Sequence, residues 1–139
     1  AFEYLPGTAM LHTDATVLPR APRARASWNY RMTHCRAEPE RVRISYDISR
    51  LQRIEDERDY VVTLNDEPGE NGAVDTGSVL ARMTYAHPCY TRASVAAQRE
   101  LHLINTDRLA FAGAWQGWGF HEDGCVSGVR AAASLGVDW

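Results

Sequence analysis

Residues 109–136 constrain what this chain can fold into more than any other stretch. Leu109-Ala110-Phe111-Ala112 is apolar throughout, the pattern of a short strand covered on both faces as in a parallel sheet. A glycine-rich loop follows, with Gly113, Gly117 and Gly119 at positions where backbone without a Cβ adopts unusual φ or lies against a flat ring. A helix is expected from about Gly124 to Leu135, with Gly136 as its stop. Glu122 and Asp123 stand at its start, where negative charge suits the helix dipole. Ser127, Gly128, Ala131 and Ala132 are small and permit close packing against a neighbour. The N–H groups at such a helix start suit an anionic oxygen, either a phosphate or the C2 carbonyl and N1 edge of a flavin. A plain strand–turn–helix with glycines for geometry explains the same spacing. The loop is neither a dinucleotide fingerprint, for lack of the third glycine, nor a P-loop, for lack of Gly-Lys-Ser/Thr.

A chain of 139 residues, 45% hydrophobic and 24% charged, has the composition of a soluble globular domain. Net charge is −3, which gives no reason to expect nucleic acid or an anionic membrane as partner. All fifteen basic residues are Arg, read here as base composition. Arg20, Arg23 and Arg25 cluster, but Pro19 and Pro22 interrupt them, so a solvated loop is expected rather than a polyanion site. No apolar run is long enough to span a bilayer, and no signal peptide is visible. Cys35, Cys89 and Cys125 are an odd number and widely spaced, which favours free thiols, a reducing compartment and a cytoplasmic location. The start at Ala1 is taken as a hint of a processed product or a fragment.

Upstream, residues 9–14 read as a strand ending in a turn, and 15–26 as a loop. Residues 27–32 alternate, which places Trp28, Tyr30 and Met32 on one half-buried face. Residues 41–46 alternate too, with Val42, Ile44 and Tyr46 together, and Asp47 caps a short helix through Gln52. Ile54–Asp59 is a charged turn, 60–64 a strand, 65–78 a loop and 79–86 extended. Ala93, Ala96, Ala97, Leu101 and Ile104 give helical spacing over about 91–104. The character of the chain changes near Tyr90.

Phe111-Ala112-Gly113, Gly119-Phe120-His121-Glu122-Asp123-Gly124 and Ser127-Gly128-Val129-Arg130-Ala131-Ala132 resemble the C-terminal flavin-binding motif of the FAD-dependent amine oxidase superfamily. The resemblance is to a bacterial branch of flavin-containing amine oxidase-like, predicted NAD/FAD-binding proteins with a FAGAW-x-GYGFHEDG-x-xSG tail. Leu11-His12-Thr13-Asp14, Ser27-Trp28-Asn29-Tyr30-Arg31, Leu51-Gln52, Val62-Thr63-Leu64-Asn65 and His87-Pro88 with Tyr90 resemble upstream pieces of that branch.

The resemblance implies an α/β chain that is itself an α+β fragment. It would be the C-terminal part of an FAD/NAD(P)-binding Rossmann-like fold with a mixed or antiparallel substrate-domain sheet. Residues 1–90 would belong to the substrate domain, and 91–139 would supply the last helix–strand–helix of the FAD domain. The Gly-rich dinucleotide motif and the acidic ribose ligand of such enzymes have no counterpart here, so the N-terminal FAD-binding half would be a partner, on the same parent chain or another. Gly113 and Ala114 would lie near the FAD phosphates and ribityl chain. Many relatives carry an acidic residue in place of Ala114, so that side-chain contact has no counterpart in this chain. Gly119, Phe120, His121, Glu122, Asp123 and Gly124 would form the turn and helix start facing the isoalloxazine, chiefly through backbone N–H groups. Phe120 and Tyr90 would be opposing walls of a cage for a small-molecule substrate.

His121 is the acid–base candidate within the motif, with Tyr90 beside it as a second catalytic candidate, though the backbone of His121 suffices for the cofactor role. Glu122 and Asp123 are either paired carboxylates or helix caps. Cys89 precedes Tyr90, as does the cysteine that holds FAD covalently in some amine oxidases, but His87-Pro88 departs from that pattern. His34, Cys35, His87 and Cys89 lack zinc-site spacing, and no metal is expected. Trp28, Trp115 and Trp118 are core or cofactor-lining, and nothing resembles a Ser/His/Asp triad. The expected activity of the parent is hydride transfer from a substrate C–H to FAD. Desaturation or isomerisation of an apolar substrate, and a non-catalytic binding or interaction domain, are the alternatives.

Overall fold

The computed structural model describes residues 1–32, 43–66 and 73–137. Val42, His34 and Cys35 lie outside them. Two compact units are present: Pro6–Ala86, and Ala1–Leu5 together with His87–Trp139.

The first unit holds most of a five-stranded sheet of β1 (Glu3–His12), β2 (Trp28–Tyr30), β3 (Ile44–Asp47), β4 (Val61–Leu64) and β5 (Val79–Cys89), in the order β2-β3-β4-β1-β5; Glu3–Leu5 and His87–Cys89 are counted with the second. The pairs β2/β3, β3/β4 and β1/β4 are antiparallel. The chain is thus mixed α and β with a dominant antiparallel sheet. α1 (Ile48–Gln52) follows β3 as its cap residue requires: the Asp47 carboxylate accepts from Arg50 N at 2.9 Å. Arg53 ends it in the left-handed conformation, φ 55°.

Register decides which side chains are buried. Thr63 pairs with Met10 and with Ser45, and Ser45 with Asn29, so these four form one row across the sheet. Because side chains alternate along a strand, His12, Val61 and Asp47 share that face. All seven are buried, and Val17, Leu18 and Val74 pack there as the hydrophobic part of the core. The polar members satisfy one another. His12 Nε2 lies 2.8 Å from Thr63 Oγ1, and Thr63 Oγ1 lies 2.8 Å from Ser45 Oγ. Asn29 Nδ2 donates to Ala26 O at 2.7 Å, and Asn29 Oδ1 accepts from Ala26 N at 3.0 Å. Arg43 and Asp66 form a buried ion pair, and Asp66 also accepts from Val74 N at 3.0 Å.

This inverts the reading of residues 27–32. Trp28 and Tyr30 are 55% and 50% exposed, whereas Asn29 is buried. Alternation locates two faces but cannot say which is covered. Here the polar side faces the core, because its hydrogen bonds close internally. Trp28 packs edge-on against Tyr46, its register partner, with ring centroids 5.3 Å apart.

The second unit carries α2 (Arg92–Gln98) and α3 (His121–Ser134). The helix expected over 91–104 stops early: Thr91 and Ser94 form a reciprocal capping box, Arg99 closes α2, and a separate 3-10 turn covers Leu101–Ile104. Leu103 and Ile104 are consequently exposed. Residues 109–112 are not a strand. Phe111 N donates to Asn105 Oδ1, Phe111 O accepts from Gln116 Nε2, and Leu109 O accepts from Thr106 N, so the backbone is satisfied locally. Leu109 and Phe111 are exposed, and no described strand pairs with the segment. α3 starts three residues before Gly124, and Gly136 follows it with φ 80°. No helix among the described residues is long and apolar enough to cross a membrane.

Candidate functional site

The site lies within the unit of Ala1–Leu5 and His87–Trp139. Its frame is the loop 113–120, fixed to α3 at two points. Gly113 N donates to Ser127 Oγ at 2.9 Å, and Ser127 Oγ reaches Gly124 O at 2.8 Å. At the other point the Asp123 carboxylate accepts from Trp118 N at 3.0 Å and Phe120 N at 2.9 Å. Asp123 is therefore a cap that folds the loop back onto the helix start. Gly117 lies so close to this carboxylate that a Cβ there would overlap it.

A third tie comes from α2. Gln98 Nε2 donates to Trp115 O at 3.0 Å and Gly117 O at 2.6 Å. A 3-10 turn over Ala114–Gln116 completes the frame, with Ala114 O accepting from Gly117 N at 3.0 Å and Gly119 N at 3.1 Å. Phe2 packs edge-on against Trp115 at 4.9 Å.

Two grooves open on this frame. One, of about 330 Å³, is lined by Tyr4, His87, Pro88, Tyr90, Trp118 and Gly119, with Ala114 and Trp115 behind them. The other, of about 450 Å³, is lined by Tyr90, Arg92, Val95, Arg99 and Trp118, with Thr91 and Ala96. Tyr90 and Trp118 belong to both, with ring centroids 6.1 Å apart. Gly119 adopts φ +88°, and a Cβ built on it would lie 2.7 Å from the Tyr90 hydroxyl. Burial pushes the Tyr90 phenol up, and the negative charge of Asp123 adds to this. Tyr90 is thus a protonated phenol at neutral pH, able to donate a hydrogen bond into the groove.

Gly113, Ala114, Gly119, Phe120, Asp123 and Gly124 all lie on this frame or at its junction with α3. Ala114 and Gly124 abut: a Cβ on Gly124 would lie 3.8 Å from that of Ala114. His121 and Glu122 are exposed at the helix start, and their backbone N–H groups, which have no partner within a helix by geometry, meet no acceptor among the described residues. Phe120 is 59% exposed and lines neither groove; the ring beside Tyr90 is Trp118.

Gln98, Tyr4 and the Trp118–Tyr90 pair have no sequence signature. A single amide among the alanines of α2 was the only available hint of the first. Cys89 and Cys125 are free thiols, and the carbonyl of Cys89 accepts from Ser94 Oγ at 3.2 Å. No group of three or more His, Cys, Asp or Glu side chains among the described residues is placed to hold a metal ion. No protein-family model matches this chain, and no curated protein matches it.

Proposed function

We propose that this chain is the flavin-facing C-terminal part of an FAD-dependent, amine oxidase-like oxidoreductase. The resemblance of residues 111–132 motivates the reading. The observation that carries it is the conjunction at Gly119: a left-handed residue pressed against Tyr90, immediately before a helix start with open N–H donors. A flat ring with a carbonyl edge suits such a place, since the glycine lets Tyr90 pack against the loop as one wall and the N–H groups of His121 and Glu122 supply donors. The Asp123 carboxylate is turned to Trp118 N and Phe120 N, and those bonds hold the loop in the shape that leaves the donors open.

When bound, FAD supplies a hydride acceptor. The chain's own residues bind and orient. Tyr90 and Trp118 wall the groove that takes the substrate, and the Tyr90 phenol offers it a proton-bearing hydrogen-bond donor. The phosphate-binding half of the site belongs to residues other than these, on the same parent chain or a partner. The parent's reaction is hydride removal from a substrate C–H, with desaturation or isomerisation of an apolar substrate as variants of the same flavin chemistry.

A second reading, a non-catalytic ligand-binding unit, is favoured by the exposure of Trp118 and Phe120, 64% and 59%. The two separate in one experiment. The native protein carrying this chain, purified from its own cells, is mixed anaerobically with panels of amines and of apolar substrates while the visible spectrum is followed. Bleaching of a bound flavin by a substrate supports the oxidoreductase. A folded native preparation that holds no flavin and takes up no added FAD, yet binds a ligand, supports the second reading and removes the first.

A further inference from the structure

The groove walled by Tyr90 and Trp118 on the α2 side has a chemical character that the amine oxidase resemblance does not assign. Its floor is apolar, from Val95 and Ala96, and Arg92 and Arg99 stand along the same helix. Seven residues apart is close to two full helical turns, so the two side chains rise from one face about 10 Å apart along the axis. Neither guanidinium has an ion-pair partner among the described residues. Arg92 is also placed against local preference, since a cation in the first turn of a helix opposes the dipole. Helix stability thus does not account for that charge.

We propose that this groove binds the acidic end of a ligand whose flat or apolar body lies against Trp118 and Tyr90, so that the substrate class is a carboxylate-bearing molecule. Arginine presents a planar fork of donors that matches a carboxylate in two parallel hydrogen bonds. Two such forks flanking Val95 and Ala96, beside two aromatic rings, select for an anion joined to an apolar group. The inference rests on the reading that Tyr90 and Trp118 line a ligand site, and it names what that ligand carries.

The test needs no flavin. The full chain is titrated with phenylacetate and, separately, with the neutral phenylacetamide, and binding is followed by the fluorescence change that is lost in Trp118→Phe. Phenylacetate is expected to bind about tenfold more tightly than the amide, the scale of a charge-assisted hydrogen bond on a partly exposed surface. The preference should shrink with added salt. It should disappear in an Arg92→Gln, Arg99→Gln double variant, whose two positions are exposed and whose fold is checked by unchanged circular dichroism. Equal affinities for the acid and the amide overturn the inference while leaving the aromatic groove intact. A double variant that keeps the preference also overturns it. No Trp118-dependent response to either probe removes the ligand site itself, and with it both the inference and the reading it rests on.

Discussion

The hydroxyl of Tyr90 occupies the space that a side chain on residue 119 would need: a Cβ built on Gly119 lies 2.7 Å from it. The φ of +88° at Gly119 adds a second, independent demand for glycine. Gly119→Ala is expected to cost roughly 1–2 kcal/mol of stability through backbone strain. Urea unfolding measures the cost. Displacement of Tyr90 should also abolish the Trp118-dependent probe response, whereas Gly128→Ala, whose Cβ meets nothing within 4 Å, should be neutral or slightly stabilising.

The two neighbouring acids of α3 have different parts. Asp123 accepts two backbone N–H bonds; Glu122 is exposed and accepts none among the described residues. Asp123→Ala is expected to lose about 1 kcal/mol, the usual worth of a helix cap. Glu122→Gln should change stability by less than about 0.5 kcal/mol. Equal losses in the two variants would show that charge near the helix start, rather than capping, is what matters.

Gln98 links α2 to the carbonyls of Trp115 and Gly117 through one amide group. Gln98→Ala releases both, so a loss of about 1 kcal/mol is expected, together with faster amide exchange in the loop 113–120. Gln98→Glu should be at least as disruptive, because a carboxylate cannot donate to a carbonyl. A Glu variant as stable as the parent would contradict the assignment.

His12 is fully buried, and both ring nitrogens are engaged. Nδ1 accepts from Asp14 N at 3.2 Å, which leaves Nε2–H to meet Thr63 Oγ1 at 2.8 Å. Its pKa is lowered from 6.5, first by burial; Arg43 adds to the lowering, while Asp14 and Asp66 oppose it. The sign follows from linkage. In the interval below 6.5 the unfolded chain takes up a proton that the folded ring refuses, so stability is full above that value and falls as pH drops through it. Urea midpoints between about pH 7.5 and about pH 5.5 should decline, and His12→Gln should flatten that part of the profile. An unchanged slope in the variant would assign the decline to other groups.

Local signals survived into the structure where the physics is local. Asp47 caps α1, Gly136 follows α3, and Trp28 and Tyr46 pair on two strands marked by alternation in the sequence. Two readings failed because they depended on partners elsewhere in space. The face of β2 could be assigned only after Asn29, Ser45, Thr63 and His12 were found to satisfy one another. Leu109–Ala112 has the composition of a doubly covered strand but forms no strand, its polar groups being met by Asn105, Gln116 and Thr106. At the site, the glycines and Asp123 were legible because backbone geometry leaves a sequence trace. Gln98, Tyr4 and the Tyr90–Trp118 pairing were not, because tertiary contact leaves none.

The proposed role of the helix start after Gly119 is to face a flavin. It is tested most directly by the visible absorbance of the native protein that carries this chain, isolated without denaturation and supplied with FAD. The expected result is a bound flavin spectrum, stoichiometric with the chain, that weakens in Gly119→Ala as the loop shifts. A colourless protein that takes up no FAD, in a preparation shown to be folded, would contradict it.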